Sequence, residues 1–281
     1  MNNPLIISTA AFDGYDFDVA FREIAETGVD LVEVAFIEGY TDPFTEADFN
    51  EENASRICAQ LDEYGLKCVS FSSHVNLARE GIVDIFKQRM AFARQLGAHY
   101  IISNAAPLPD KFQFMENIAQ LGQIAASLDM IITLENPGDG NPNVIDSGQP
   151  AARVIEEIGL DSVRINYDFG NLLSHCFGRL KPEQDYKQVL AQTAHFHLKD
   201  VAQDDSGFYF TEIGEGTIDY QTILEELTAA SDSVPLSLEI PLRVTRAPDA
   251  SPRRASQPVD LAEIRRVMTG SVNFVKQAID G

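Results

Sequence analysis

Residues 131–138 read IITLENPG, a short run of strand-forming residues that ends at Glu135 and is followed by an Asn-Pro-Gly turn. Three later segments repeat the pattern: VRINYD ends at Asp168, HFHL carries His197 near its end, and PLSLE ends at Glu239. Short apolar runs without polar alternation are typical of parallel strands that are covered on both faces. The sequence therefore predicts four buried strands, each of which places one ionisable side chain at its end.

The spacing of these segments indicates the fold. Consecutive segments lie about 30 to 40 residues apart, the length of one strand–helix–strand unit. Further apolar runs give eight candidate strands, and no glycine-rich dinucleotide or phosphate-loop motif follows an early strand. We therefore predict an α/β fold, a single-domain (β/α)8 TIM barrel over residues 1–281. The candidate strands are Leu5–Ser8, Leu31–Ala35, Cys68–Ser72, Tyr100–Ser103, Ile131–Leu134, Val163–Tyr167, Ala194–Leu198 and Leu236–Leu238.

Helical patterns lie between these strands. The first has Thr45 as a candidate N-cap and Gly65 as a stop signal. After the sixth strand, Gly178 and Pro182 predict a broken helix. The predicted helices are Thr45–Tyr64, Gly81–Leu96, Asp110–Leu128, Gln149–Ile158, Tyr220–Ala229 and Leu261–Ala278.

Composition limits the class of function. The chain has 43 acidic and 21 basic residues, a formal net charge of −22, which disfavours binding to nucleic acid. No apolar run approaches the length of a transmembrane helix, and the N-terminus resembles a first strand more than a signal peptide. The odd number of cysteines argues against a disulfide framework and favours a reducing cytoplasm; they are Cys58, Cys68 and Cys176.

Active sites of TIM barrels lie at the carboxyl ends of the strands, where Glu135, Asp168, His197 and Glu239 would converge. Three carboxylates and one imidazole form a ligand set for a divalent metal. A metal-polarised carbonyl makes the neighbouring C–H bond more acidic. Glu135 and Glu239, one on each side of the metal, would then remove and return that proton.

Other polar residues would line the same barrel mouth. His74 and Asn104 end the third and fourth strands, and His74 is the better candidate for a hydrogen bond to substrate. Glu33 in the second strand is expected to be a satisfied polar residue, and His195 a packed core histidine. Lys199 and Asp200, at the rim, are either an ion pair with each other or substrate contacts.

One segment differs in composition from the rest of the chain. Residues 243–258, RVTRAPDASPRRASQP, carry four arginines and three prolines after the eighth strand. We expect an extended Arg/Pro-rich loop, because this stretch is too long and too proline-rich for an ordinary barrel loop. Three interpretations stay open: a lid, a subunit contact, or a mobile solvated excursion.

The run of motifs LENPG, YDFGN, HFHLKD, GEGTIDY and LEIP, in this order, resembles the xylose-isomerase-like TIM-barrel superfamily over nearly the whole chain. Within it, the chain is similar to the sugar isomerase/epimerase group, which includes ketose 3-epimerases, hydroxypyruvate isomerases and inosose dehydratases. The resemblance implies one divalent ion per chain, Mn²⁺ or Mg²⁺ with Co²⁺ or Zn²⁺ as alternatives, held by Glu135, Asp168, His197 and Glu239. It also implies that Glu135 and Glu239 are the acid/base pair and that the reaction passes through a metal-stabilised enediolate.

The implied substrate is a small keto sugar or hydroxy-keto acid, and the implied assembly is a homodimer or homotetramer. No nucleic acid or membrane partner is expected. The expected substrate contacts are His74, Asn104, Asn171, Lys199 and Arg243.

Several alternatives remain beside the isomerase or epimerase. Asn171 stands where ketose 3-epimerases often present a histidine, which leaves an inosose-type dehydratase open. The multi-zinc endonucleases of this superfamily carry extra ligands where this chain has Asn104 and Asn171, so abasic-site cleavage is disfavoured. A catalytically silent barrel is a further alternative, because fold alone does not imply activity.

Overall fold

The computed structural model describes residues 3–230 and 233–280 of the chain. Eight parallel strands close into a barrel in the order β1-β10-β7-β6-β5-β4-β3-β2, which confirms the predicted (β/α)8 TIM barrel. The ends of these strands agree with the prediction to within one residue. The barrel strands are β1 Leu5–Ser8, β2 Leu31–Ala35, β3 Lys67–Ser72, β4 Tyr100–Asn104, β5 Ile131–Glu135, β6 Val163–Asp168, β7 Thr193–Leu198 and β10 Leu236–Leu238.

Helices surround the barrel. The prediction omitted α1, although Asp16 caps it by accepting a hydrogen bond from the Val19 amide. Thr45 precedes a short 3₁₀ turn, and α2 begins six residues later than predicted, after the Asn50 cap. The helices are α1 Phe17–Glu26, α2 Glu51–Glu63, α3 Ile82–Leu96, α4 Lys111–Ser127, α5 Gly148–Ile158, α6 Phe169–His175, α7 Pro182–Asp185, α8 Tyr220–Ala229 and α9 Leu261–Asp280.

The region after β6 is broken as expected. The short helices α6 and α7 replace one long helix, and Pro182 is the first residue of α7, where its missing amide costs nothing. No helix in residues 3–230 and 233–280 combines the length and apolarity that a membrane span requires.

The core lies in two layers. Apolar side chains such as Ile101, Ile132 and Phe196 are fully buried between strands and helices, and rings including Phe36, Phe71 and Phe92 pack edge-to-face beside β3. Polar side chains are also buried on these strands, in their middle as well as at the carboxyl end of the barrel. The apolar layer between strands and helices therefore surrounds a barrel that carries many buried polar groups.

A second sheet stands at the barrel mouth. Four antiparallel strands, in the order β12-β11-β9-β8, combine two hairpins from different parts of the chain. The first hairpin is β8 Asp200–Asp204 with β9 Gly207–Thr211, and the second is β11 Val244–Arg246 with β12 Pro252–Arg254. The Arg/Pro-rich segment is therefore not an irregular loop: its β11 pairs with β9 through Thr245 and Arg246.

Asp200 connects this sheet to the barrel. Its carboxylate accepts hydrogen bonds from the backbone amides of Val201, Gly214, Gly216 and Ile218. Its oxygens are thus used by the GEGTI turn, and the expectation of an ion pair with Lys199 or a substrate contact was wrong for this residue. Its role is to fold the segment between β9 and α8 against β8.

Candidate active site

The four predicted ligands meet at the carboxyl end of the barrel. One donor atom from each of Glu135, Asp168, His197 and Glu239 lies within 4.8 Å of every other. His197 Nδ1 is 2.9 Å from Glu135 Oε2, 3.1 Å from Glu239 Oε2 and 3.8 Å from Asp168 Oδ2. All four residues are buried, so three carboxylates and one imidazole converge at one point.

Several of these donor atoms have no hydrogen bond within the described part of the chain. His197 Nδ1, Asp168 Oδ2 and Glu239 Oε1 are all buried in this condition. Asp168 Oδ2 forms an ion pair with Lys199, so Glu239 Oε1 is the one of these two oxygens that has neither kind of partner in the described residues. Leaving a buried carboxylate oxygen unpaired is costly, and such groups are normally paired or bound to a metal. Three oxygen donors and one nitrogen donor fit a divalent ion such as Mg²⁺ or Mn²⁺.

Lysine and histidine charges offset the carboxylates. Lys199 Nζ lies 2.6 Å from Asp168 Oδ2 and 2.5 Å from Glu239 Oε2. Burial raises the pKa of Glu135, but the charge of His197 and its neighbours outweighs burial and holds this pKa well below 4.5. The pKa of Glu239 is lowered in the same way, against burial, by the charges of His197 and Lys199. Both glutamates are therefore ionised at neutral pH.

Glu33 orients the histidine of this site. Its Oε2 is 3.1 Å from His197 Nε2, while Ser70 and Ser72 donate hydrogen bonds to its two oxygens at 3.2 and 2.9 Å. When Nδ1 exchanges its proton for a bound metal ion, an N–H on Nε2 that points to Glu33 would leave the lone pair of Nδ1 on the side of the three carboxylates. A carboxylate behind a histidine ligand is a common feature of metal sites. Glu33 thus has a positioning role that the sequence prediction lacked.

His195 is a core residue, as expected. It is fully buried, its Nδ1 lies 2.9 Å from Asn166 Oδ1, and its Nε2 is 3.7 Å from Glu33 Oε2. Burial lowers its pKa to about 4, so the ring is neutral at physiological pH. Glu33, His195 and His197 form a second acidic-imidazole group next to the first. Glu33 is already occupied by the two serine hydroxyl groups and by His197, so we assign this second group to the support of His197.

Glu33→Gln is expected to weaken metal binding by about 10- to 100-fold without loss of the fold. The amide is a weaker acceptor for the His197 N–H, so it no longer holds the ring with Nδ1 directed toward the metal-binding carboxylates. Metal affinity is measured by titration of the metal-free protein with Mn²⁺. Glu23→Gln is the matched control, because Glu23 is buried in α1 and pairs with Arg265; a loss of equal size in both variants would contradict the positioning role.

Three side chains fix the carboxylate of Glu135. Asn166 and Asn171 donate hydrogen bonds to its Oε2 and Oε1 at 2.8 and 2.7 Å, and His74 Nε2 lies 3.0 Å from Oε2. The pKa of His74 is raised: burial lowers it, but the charge of Glu135 outweighs this. Asn136 links the end of β5 to the end of β6: its side chain donates a hydrogen bond to the Asp168 carbonyl oxygen and accepts one from the Asp168 amide, each 2.9 Å long.

A cavity of about 350 Å³ opens above this group of residues. Glu135 and Glu239 line it, whereas Asp168 and His197 are completely buried beneath it. Of the other predicted site residues, the cavity is lined by His74, Asn104, Asn171 and Lys199.

Arg243 does not line this cavity. It pairs with Asp13 at 3.4 Å and donates hydrogen bonds to the carbonyl oxygens of Ala255 and Ser256. The arginine that lines the cavity is Arg246, three residues later. Alternation along β11 distinguishes the two: Val244 and Arg246 are buried whereas Thr245 is exposed, and this alternation is the signal that identifies Arg246.

Solved structures share this fold. A xylose isomerase domain protein from Planctomyces limnophilus has a TM-score of 0.75 at 18% identity, with 99% of each chain covered. The D-psicose 3-epimerase of Clostridium cellulolyticum H10 has a TM-score of 0.72 at 12% identity, with 98% of this chain and 99% of that one covered. The probable 3-DHS dehydratase AsbF of Bacillus anthracis has a TM-score of 0.70 at 16% identity, covering 97% and 98%.

A comparison with curated protein sequences found no match. The family model described as xylose isomerase-like TIM barrel matches residues 21–261, most of the chain. With the closed eight-stranded barrel, this match shows the family directly. The protein belongs to the xylose isomerase-like TIM-barrel family.

Proposed function

We propose that the protein is a divalent-metal-dependent isomerase or epimerase of a small keto sugar or hydroxy-keto acid. The observation that carries this proposal is the placement of Glu135 and Glu239. They project from strands that are separated by β6 and β7 in the barrel, yet both approach His197 Nδ1 within 3.1 Å and both line the cavity. Two carboxylates that reach one small cavity from different sides suit removal and return of a proton.

The donor atoms of Glu135, Asp168, His197 and Glu239 would hold the ion, with Mn²⁺ or Mg²⁺ preferred because carboxylate oxygens dominate the set. When bound, such an ion polarises a carbonyl group and stabilises the negative charge that develops on its oxygen.

The proton steps belong to the two glutamates. One carboxylate takes the proton from the carbon next to the carbonyl. For isomerisation the same carboxyl group returns this proton to the neighbouring carbon. For inversion the other glutamate, ionised in the free site, first takes up a proton from solvent and gives it to the opposite face, while the first glutamate releases its proton to solvent. Return to the opposite face of the same carbon inverts it, and return to the neighbouring carbon isomerises the substrate. The hydrogen bonds from Asn166 and Asn171 fix the Glu135 carboxylate, so the base is oriented before substrate binds.

A dehydratase is the second candidate. It would begin with the same proton removal but then expel a β-hydroxyl group. Two observations favour it as the alternative: Asn171 replaces the histidine expected of ketose 3-epimerases, and the fold is similar to that of a probable 3-DHS dehydratase. The small carbohydrate substrate and the homodimer or homotetramer remain predictions from the resemblance, and the cytoplasmic location remains a prediction from the cysteine content.

The test is hydrogen exchange in D₂O. The Mn²⁺-loaded protein is incubated with a panel of ketoses and hydroxy-keto acids, and loss of the C–H signal next to the carbonyl is followed by NMR. We expect exchange for at least one compound, abolished by chelation and restored by Mn²⁺. New ultraviolet absorbance from an enone would instead favour the dehydratase, and failure of exchange across the panel by metal-loaded protein would contradict both.

A further inference from the structure

Arg246 is a buried cation whose charge no carboxylate in the described residues balances. It is 5% exposed, and no acidic group of residues 3–230 and 233–280 lies within ion-pair distance of it. Its NH2 donates to Asn171 Oδ1 at 3.3 Å and its NH1 to the Ala250 carbonyl oxygen at 3.4 Å. Both contacts are long and have neutral acceptors, and its Nε has no hydrogen-bond partner in the described chain.

Two other arginines of the same segment have a carboxylate partner. Arg254 forms a two-pronged pair with Asp13 at 2.7 and 2.6 Å, and Arg243 approaches the same carboxylate. In a chain with 43 acidic residues, a balancing carboxylate for Arg246 would be easy to supply. Burying a guanidinium without one is costly, so its presence indicates an anion that arrives from outside the protein.

The backbone is shaped to accept this guanidinium. A Cβ atom at Gly138 would lie 2.6 Å from Arg246 NH2 and 2.5 Å from Asn171 Oδ1. Only glycine at this position lets the arginine lie against the turn that follows β5. Pairing of Arg246 with Phe208 across β11 and β9 fixes the backbone from which the side chain extends.

The other charged groups around the cavity do not neutralise Arg246. Asp139 lines the cavity, but both of its oxygens accept hydrogen bonds from Asn141, at 3.0 Å each. Glu38 also lines it, without an ion pair to Arg246. Lys199 is held by Asp168 and Glu239.

We propose that Arg246 is an anion subsite that binds a carboxylate of the substrate, which makes the substrate a hydroxy-keto acid. This proposal rests on the proposed function and narrows it. A guanidinium offers two parallel N–H donors that match one carboxylate. A single unassisted arginine in an acidic protein suits a monoanion better than a phosphate dianion, which needs more donors.

Asn171 links this subsite to the acid/base pair. It accepts from Arg246 NH2 and donates to Glu135 Oε1 at 2.7 Å, so one amide side chain separates the anion from the base. A carboxylate at Arg246 therefore holds a short substrate with its reacting carbon near Glu135. Arg246 acts as a specificity-determining residue.

Binding without turnover tests the subsite separately from the chemistry. D-Gluconate, D-glucitol and D-glucitol 6-phosphate are titrated into the Mn²⁺-loaded wild-type protein and into Arg246→Gln and Arg246→Lys, with calorimetric detection. Arg253→Gln is the matched control, since it removes one positive charge from an exposed position of the same hairpin. None of the three probes carries a ketone, so their binding does not depend on the proposed proton transfer.

We expect the wild type to prefer gluconate to glucitol by roughly tenfold or more, and the preference to fall by roughly tenfold to hundredfold in Arg246→Gln. Arg246→Lys should keep part of this preference, and Arg253→Gln all of it.

Equal binding of gluconate and glucitol by the wild type, or a preference that survives in Arg246→Gln, would overturn the subsite. A wild-type preference for glucitol 6-phosphate would overturn the carboxylate assignment. If Arg246→Gln fails to fold, the preference for gluconate is compared between the wild type and Arg246→Lys, because a lysine lacks the paired donors. Failure of the proposed function itself would show as absent metal or absent exchange in the wild type, not in these titrations.

Discussion

Glu135→Gln is expected to reduce proton exchange and turnover by about 10³-fold, the largest loss of any single substitution proposed for this protein. The amide has nearly the same shape but cannot take a proton from carbon. Both oxygens of Glu135 accept hydrogen bonds, from Asn171 and from Asn166 with His74 beside it. The NH₂ group of Gln must therefore face one of these donors, which adds a small local cost. Exchange in D₂O, measured at saturating Mn²⁺, reports the loss.

The control for this variant is Glu157→Gln, which alters a surface carboxylate paired with Lys111 and should leave exchange unchanged. Metal content must be measured in both variants, because Glu135 is also a candidate ligand. Full exchange by Glu135→Gln with metal still bound would exclude Glu135 as the base. Weaker metal binding with an unchanged rate at saturating Mn²⁺ would show that Glu135 is a metal ligand and not the base.

Asp168→Asn is expected to weaken metal binding by at least about 100-fold, since it replaces an anionic ligand by a neutral amide in a buried site. The fold should survive. Asp168 caps α6 by accepting a hydrogen bond from the Asn171 amide at 2.8 Å, and asparagine is an equally good N-cap. Its Oδ2, by contrast, lies 2.6 Å from Lys199 Nζ, where an amide NH₂ would oppose the ammonium. Metal content after dialysis against buffered Mn²⁺ measures the effect.

Asp219→Asn is matched to this variant because Asp219 caps α8 in the same way, with a hydrogen bond from the Thr222 amide, away from the cavity. It should bind metal as the wild type does. Equal metal content in Asp168→Asn and Asp219→Asn would remove Asp168 from the ligand set.

The barrel could be predicted from the sequence because its strands are short segments rich in apolar residues. IITLE is apolar apart from Thr133 and its last residue, and in VRINYD every second residue is apolar and buried. Burial of these residues leaves a clear trace in composition. The convergence of four side chains could be predicted for a related reason. They lie at the carboxyl ends of neighbouring strands, and closure of the barrel brings these ends together; the residues are Glu135, Asp168, His197 and Glu239.

The second sheet left no such trace. DVAQD in β8 ends in two exposed polar residues and PRR in β12 is exposed throughout, so neither resembles a barrel strand in composition. They form strands because two hairpins distant in sequence meet at the barrel mouth. The sequence prediction named Arg243, whereas the structure places Arg246 at the cavity, because the pairing of β11 with β9 decides which arginine lines it.

Glu33 shows a different limit. A carboxylate within LVEVA was visible, but its partner His197 lies in a strand on the other side of β1 and β10 in the barrel. The linear sequence does not indicate this contact. It follows only from the closed barrel, in which side chains from non-adjacent strands meet in the interior.

Metal analysis of the purified wild-type protein, after exposure to Mn²⁺ and removal of the excess, tests the central claim most directly. The buried donors of the four-residue site predict about one divalent ion per chain, with most of it lost in Asp168→Asn. No bound metal after reconstitution would contradict the account and indicate a catalytically silent barrel. Two or three zinc ions per chain would contradict it in the other direction and point to the multi-zinc chemistry that the sequence disfavours.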